Sequence, residues 1–118
     1  MEFGKENYEE REHEKRVKAA LGAMPSEEGI AEMCARFKVL GEPSRLKILL
    51  ALAAGELCVE HIVEAVGGKQ SAVSHQLKIL KDNKILKSRR DGQKILYAVA
   101  DEHVMTMVDK AKEHLGCE

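Results

Sequence analysis

Residues 59–81 read VEHIVEAVGGKQSAVSHQLKILK, two apolar stripes parted by a glycine pair. Val59, Ile62, Val63 and Val66 recur at the spacing of one helical face, and Val73, Leu77 and Leu80 do so again. GGKQ breaks the first helix. The spacing therefore predicts two short helices, the second from about Ser71 to Lys81, joined by a tight glycine turn. This is the helix-turn-helix pattern, in which the second helix enters the major groove of DNA. With positions 73, 77 and 80 turned inward, Gln70, Ser71, Ser74, His75 and Lys78 lie outward, and such polar side chains suit base edges and phosphates. A helical hairpin inside any bundle carries the same stripes, so the choice needs a second feature.

That feature follows directly. Leu86 to Arg90 and Ile95 to Val99 are strand-like and are joined through RDGQK, where Asp91-Gly92 supplies the positive-φ turn of a hairpin. Arg89, Arg90 and Lys94 make the hairpin basic, so it can lie along the DNA backbone as a wing while the preceding helix occupies the groove. Between Lys69 and Lys94 eight cations face two carboxylates, Asp82 and Asp91, a net of +6; the rest of a chain whose total is -1 therefore carries -7. A solvated charged face is the plain alternative. A basic segment within an acidic chain nevertheless points to a local polyanion site. The fold class expected is mainly α with a β-hairpin wing, a winged helix-turn-helix.

Upstream, Ile30, Met33, Cys34, Phe37 and Leu40 form a helical stripe that stops near Gly41, and Pro43 opens a helix whose RLKILLALAAG reads as mostly buried and ends at Gly55. Cys34 lies on the first stripe and reads as a core cysteine. Residues 5–23 are densely charged, but Val17, Ala20, Leu21 and Met24 keep helical spacing, so residues 1–25 are expected to form an N-terminal helical arm ending at Met24-Pro25. Residues 26–118 then form the DNA-binding and dimerisation domain. A chain of 118 residues suits one small domain, which buries a modest share of its surface and gains from dimerisation. The start, MEFGKENYEE, lacks the basic-then-apolar pattern of a signal peptide, and ILLALAAG is far too short to span a bilayer; a cytoplasmic protein is expected. Three cysteines without paired spacing argue for free thiols or ligands rather than a disulfide scaffold.

The chain closes with DEHVMTMVDKAKEHLGCE, residues 101–118, which holds metal-ligand chemistry at both ends: Asp101 with His103, and His114 with Cys117. Polar residues also gather at helix ends for other reasons, Asp101 as an N-cap and His114 near the C-terminal dipole. ELCVEHIVEAVG, SAVSHQLKILKDNKIL, RRDGQKILYAV and DEHVMTMV, in that order, resemble successive segments of the ArsR/SmtB family of bacterial metal-sensing repressors over roughly residues 30–117. The resemblance implies a homodimeric winged-helix repressor that holds operator DNA without metal and releases it when an inducing ion binds. Lys69 stands where the family often has a Ser or Thr helix cap, so that cap is expected to be weak here.

Branches of the family place ligands differently. The arsenic and lead branches use Cys-Val-Cys, of which ELCVEH keeps only Cys58, with Glu60 in the second position. Cys58 and His61 together with His13 remain a secondary possibility beside a buried Cys58 and an exposed His61. The zinc branch uses the last helix, and there Asp101, His103 and His114 match, with Cys117 where the family more often has His or Glu. His103 and His114 are eleven residues apart, about 16 Å along a helix, whereas zinc ligands sit about 2 Å from the ion. One helix cannot close one site. The stripe Val104, Met107, Val108, Ala111 and Leu115 allows an antiparallel pairing of last helices across a two-fold axis, which gives two shared four-ligand sites per dimer. Two imidazoles, a carboxylate and a thiolate suit Zn(II), with Co(II), Cd(II) or Ni(II) as competitors. The expected partners are double-stranded operator DNA and a second copy, with no membrane and no small organic substrate. No catalytic arrangement is visible, and four protein ligands leave no open metal position, so the chain does not read as an enzyme. Two other readings stay open: a thiol-redox repressor of the same fold using Cys34, Cys58 or Cys117, and a zinc-stabilised interaction domain without DNA binding.

Overall fold

Pro43 sits at the first position of the helix that supplies the centre of the core, where its fixed φ fits and its missing N–H costs nothing. The computed structural model describes residues 9–116. Their elements are α1 (Glu10–Ala23), α2 (Glu27–Leu40), α3 (Pro43–Leu52), β1 (Leu57–Cys58), α4 (Val59–Val66), α5 (Gln70–Asp82), β2 (Leu86–Asp91), β3 (Lys94–Val99) and α6 (Glu102–His114). The chain divides into two compact units, Met1–Cys34 and Ala35–Glu118. No helix among the described residues is long and apolar enough to cross a membrane.

In the first unit α1 has no buried residue. The Ser26 hydroxyl accepts from the Gly29 N–H at 3.0 Å, an N-cap that starts α2 directly after Pro25. Cys34 is exposed, which corrects its reading as a core cysteine. Helical periodicity found an apolar face on α2, but periodicity does not say whether the same chain covers that face.

In the second unit the aliphatic residues chosen by period fall into one core. Ile48 and Leu49 of α3, Ile62 of α4, and Leu77 and Leu80 of α5 are almost fully buried, joined by Leu52, Val73, Ile85, Leu86, Val104 and Val108. Each such side chain contributes about 1.5–3 kcal/mol by leaving water, which fixes the rotation of α5 about its own axis. The turn between α4 and α5 places Gly67 and Gly68 at φ +80° and +90°, a conformation side chains rarely adopt.

The hairpin pairs β2 with β3 from Leu86↔Val99 to Asp91↔Lys94. Asp91 belongs to the strand and Gly92-Gln93 make the two-residue turn, with Gly92 at φ +64°. A positive φ at the first turn position alone is the sign pattern of a type II′ turn, one residue later than the Asp-Gly reading. A third strand escaped the sequence reading: β1 pairs β3 through Leu57↔Tyr97 and Cys58↔Leu96, giving the order β1-β3-β2. Two residues are too few to show a period.

Candidate nucleic-acid interface and metal-ligand positions

Because Val73, Leu77 and Leu80 anchor α5 in the core, Gln70, Ser71, Ser74, His75 and Lys78 are all exposed along its other side. Lys69 is the N-cap residue of α5 and makes no side-chain cap bond, as its identity leads one to expect. Lys78 donates to Asp82 one turn on at 2.8 Å, and that hydrogen bond raises the lysine pKa. Gln76, at the edge of the exposed side, accepts from Arg45 Nε at 2.8 Å, while Arg45 Nη1 donates to the Val39 carbonyl at 3.2 Å. This link between the start of α3 and α5 had no sequence signal.

The wing is tied to the same helix: Lys81 Nζ donates to Ser88 Oγ at 2.7 Å. Arg89 and Arg90 leave opposite faces of β2 and have different surroundings. Arg89 forms a two-pronged pair with Glu56, Nε to Oε2 at 3.0 Å and Nη2 to Oε1, and this hydrogen bonding holds the Glu56 carboxyl below its ordinary range. Arg90 and Lys94 have no ion pair among the described residues. A phosphate approaching Arg89 would therefore have to displace or share Glu56. Glu56→Gln is expected to raise DNA affinity a few-fold while changing stability by less than about 1 kcal/mol, since the pair is solvent-exposed. Fluorescence anisotropy with a labelled duplex and a urea melt check the two halves; an unchanged or weakened affinity would mean that Glu56 orients the wing rather than competing with DNA.

At the other end of the unit, Asp101 caps α6 by accepting the His103 N–H at Oδ1, 2.9 Å. The same oxygen lies 3.3 Å from His103 Nδ1, and the His103 side chain is 98% exposed. The capping role and a ligand role are compatible, because the cap uses one carboxylate oxygen. His114 ends α6 and is exposed, three turns from His103; Cys117 lies outside the described residues. The structure brings together Asp101 and His103 and separates them from His114, and no three His, Cys, Asp or Glu side chains among the described residues of one chain converge. Imidazole and carboxylate donors side by side, on a histidine side chain that is almost fully exposed, fit a divalent ion completed by donors from elsewhere. Cys58 is buried and His61 exposed, the pattern expected of a structural thiol.

The α6 stripe divides. Val104 and Val108 enter the chain's own core, whereas Met107 and Leu115 remain 42% and 76% exposed. They line an open apolar cleft of about 480 Å³ whose other wall is Phe37, Leu40, Leu46 and Leu50. Lys84 is the one non-glycine at positive φ among the described residues, at +61°, and it closes α5: the Ile85 N–H donates to the Leu80 carbonyl at 2.9 Å. The Ala100 N–H then donates to the Ile85 carbonyl at 2.8 Å, and Lys84 lines the same recess as Asp101 and His103. Ile85, three residues past the end of α5, is thus one hydrogen bond from Ala100, the residue before the Asp101 cap of α6.

Residues 42–88, from the cap of α3 to the first half of β2, match the family model described as "Bacterial regulatory protein, arsR family". The chain is 38% identical over 103 residues to a transcriptional repressor SmtB homolog of Synechocystis, covering 87% of this chain and 78% of that protein. It is 38% identical over 79 residues to a cadmium resistance transcriptional regulatory protein CadC homolog of Staphylococcus aureus, 66% of this chain and 65% of that one. Among solved structures, the homodimeric winged helix-turn-helix DNA-binding domain of a possible ArsR-family regulator from Mycobacterium bovis superposes with a TM-score of 0.69 at 29% identity, covering 80% of this chain and 90% of that one. With the helix-turn-helix matching the family model and a transcriptional repressor 38% identical covered over 78% of its length, the chain belongs to the ArsR/SmtB family of metal-sensing transcriptional repressors.

Proposed function

We propose that two copies of this chain bind an imperfectly palindromic operator in the metal-free state and release it when Zn(II) binds. The observation that carries the DNA half is the rotation of α5: its core anchors leave Gln70, Ser71, Ser74, His75 and Lys78 exposed together, beside the hairpin that bears Arg89, Arg90 and Lys94. Gln70, Ser71, Ser74 and His75 read bases, and Lys78, Arg89, Arg90 and Lys94 contact phosphates. Residues 26–118 act as the DNA-binding and dimerisation domain and 1–25 as an arm, with both working in the cytoplasm.

The metal half rests on Asp101 and His103 standing 3.3 Å apart at the start of α6 with no third donor from the same helix end. Asp101 and His103 of one protomer, with His114 and Cys117 of the other, would hold Zn(II), with Co(II), Cd(II) or Ni(II) as competitors. A second copy seated on Met107, Leu115 and the facing Phe37 cleft covers apolar surface that one chain leaves exposed. When bound, the ion supplies a divalent charge and a fixed coordination shell joining the two last helices. The separation of the two recognition helices follows the crossing of the last helices, since the Ala100 N–H, just before α6, donates to the carbonyl of Ile85, just after α5. Adjacent half-sites lie about 34 Å apart, so a changed separation disfavours the operator. A swing from 1:99 to 99:1 needs about 5.5 kcal/mol of differential affinity between the two dimer conformations, well within the roughly 10–16 kcal/mol of a protein zinc site.

Co(II) is the spectroscopic test of this ligand set. Protein loaded with Co(II) is expected to show a sulfur-to-metal charge-transfer band that vanishes in Cys117→Ser and persists in Cys58→Ser. A band that follows Cys58 instead would place the ion at the first helix of the motif and overturn the assignment to α6.

A further inference from the structure

A helix lying in the major groove has a phosphate strand on each side, because the groove is about 12 Å wide and is walled by both backbones. The wing accounts for one side. At 100° per residue, Gln70 and Ser74 occupy one shoulder of α5 and Ala72 and Gln76 the other. Gln70 shares a recess with Gln93 and Lys94 of the hairpin, so that shoulder faces the wing. Ala72 and Gln76 instead line a second recess of about 160 Å³, whose remaining wall includes Ser44, Lys47, the Gly67-Gly68 turn and Lys69.

This second recess has the chemistry of an anion site. Two lysines from different elements, Lys47 on α3 and Lys69 in the turn, line it, and no carboxylate is among its lining residues, although the Ser44 hydroxyl is already engaged with the Glu42 carboxylate. Neither Lys47 nor Lys69 has an ion pair or hydrogen bond from its side chain among the described residues, in contrast to Lys78 with Asp82 and Arg89 with Glu56. Two unpaired cations lining one recess repel each other until a negative group arrives. Gln76 is held by Arg45 at 2.8 Å, so the inner wall is fixed.

We infer that Lys47 and Lys69 form a phosphate clamp that takes a backbone phosphodiester of the operator strand opposite the wing. The recognition helix is then braced on both shoulders, by the hairpin on one and by this recess on the other. The inference rests on the operator reading above and adds a contact that the wing and the exposed face of α5 do not supply.

The test is an operator titration at several salt concentrations, using a duplex selected by the metal-free protein from a random library, with a scrambled duplex beside it. Each phosphate contact contributes about 0.9 to the slope of log affinity against log salt. With one clamp per protomer, Lys47→Ala/Lys69→Ala should flatten the slope of the dimer by about 2 and weaken operator and scrambled DNA by similar factors. Lys47→Arg/Lys69→Arg should retain the wild-type slope, and a thermal melt should show both variants folded, since both lysines are exposed. An unchanged slope in the alanine variant, with Arg90→Ala flattening it as a control, would remove the clamp and leave the operator reading intact. Absence of any selected duplex for the wild-type protein would remove the operator reading itself, and the clamp with it.

Discussion

Neither His103→Ala nor His114→Ala homodimers are expected to bind Zn(II) tightly, yet co-refolding the two variants together should restore about one tight site per mixed dimer. Each single variant loses one ligand from both of its sites. In the heterodimer the losses fall on one site, which lacks both histidines, and the other is wild type: Asp101 and His103 come from the His114→Ala chain, His114 and Cys117 from the His103→Ala chain. Random assembly makes roughly half the dimers mixed. A helix rises about 1.5 Å per residue, which keeps the two ends of Glu102–His114 apart whatever the side-chain rotamers. If each site were built within one chain, every site in the mixture would still lack a histidine. No recovery of tight binding, with heterodimers confirmed by native mass spectrometry, would therefore reject the shared site and the coupling of metal to dimer geometry.

The second large effect concerns the face of α5. Replacing both Ser74 and His75 with Ala removes two exposed polar side chains without touching Val73 or Leu77, so the fold should be retained. Operator affinity should fall by a few kcal/mol at most, on the order of 1–3 kcal/mol for each lost base contact, while affinity for scrambled DNA stays close to wild type. Selective loss of that kind marks base readout. Equal weakening on both duplexes would mean that the two side chains touch only the backbone, and undiminished operator affinity would remove α5 as the reading element.

The elements that carry the DNA reading were legible because local sequence dictates them. Val73, Leu77 and Leu80 define a period, and that period alone settles which residues of α5 face outward. The glycine pair at 67–68 marks the turn because its backbone needs positive φ at both residues. What sequence did not show depends on partners distant along the chain. Arg45 meets Gln76 and Arg89 meets Glu56 across separations of 31 and 33 residues, and neither member of either pair differs in type from an ordinary exposed side chain. The Glu56 contact changes the expected order of the wing residues: Arg90 and Lys94 have no ion pair among the described residues, whereas Arg89 must leave or share a carboxylate.

Apolar stripes were legible as stripes and ambiguous as to what covers them. The α6 stripe reads as one continuous face, yet Val104 and Val108 belong to the core of the chain while Met107 and Leu115 belong to an open cleft. Cys34 was misread for the same reason on α2. At the metal-ligand positions, residue type and spacing suggested Asp101 and His103 as neighbours. Their shared oxygen, accepting the His103 N–H and lying near Nδ1, comes from the Asp101 cap, which orients the carboxylate toward the ring.

The measurement that bears most directly on a metal-responsive repressor is the operator dissociation constant of the full chain with a chelator and with saturating Zn(II), repeated for His103→Ala. For the wild-type protein we predict tight operator binding with chelator and a weakening of at least a hundredfold with Zn(II), corresponding to about 2.7 kcal/mol of coupling, within the usual 1–3 kcal/mol range. For His103→Ala we predict the same tight binding under both conditions, because the DNA-reading face is untouched and one ligand is gone from each site. Equal operator affinity of the wild-type protein with and without Zn(II), or a zinc response that survives in His103→Ala, would contradict the account.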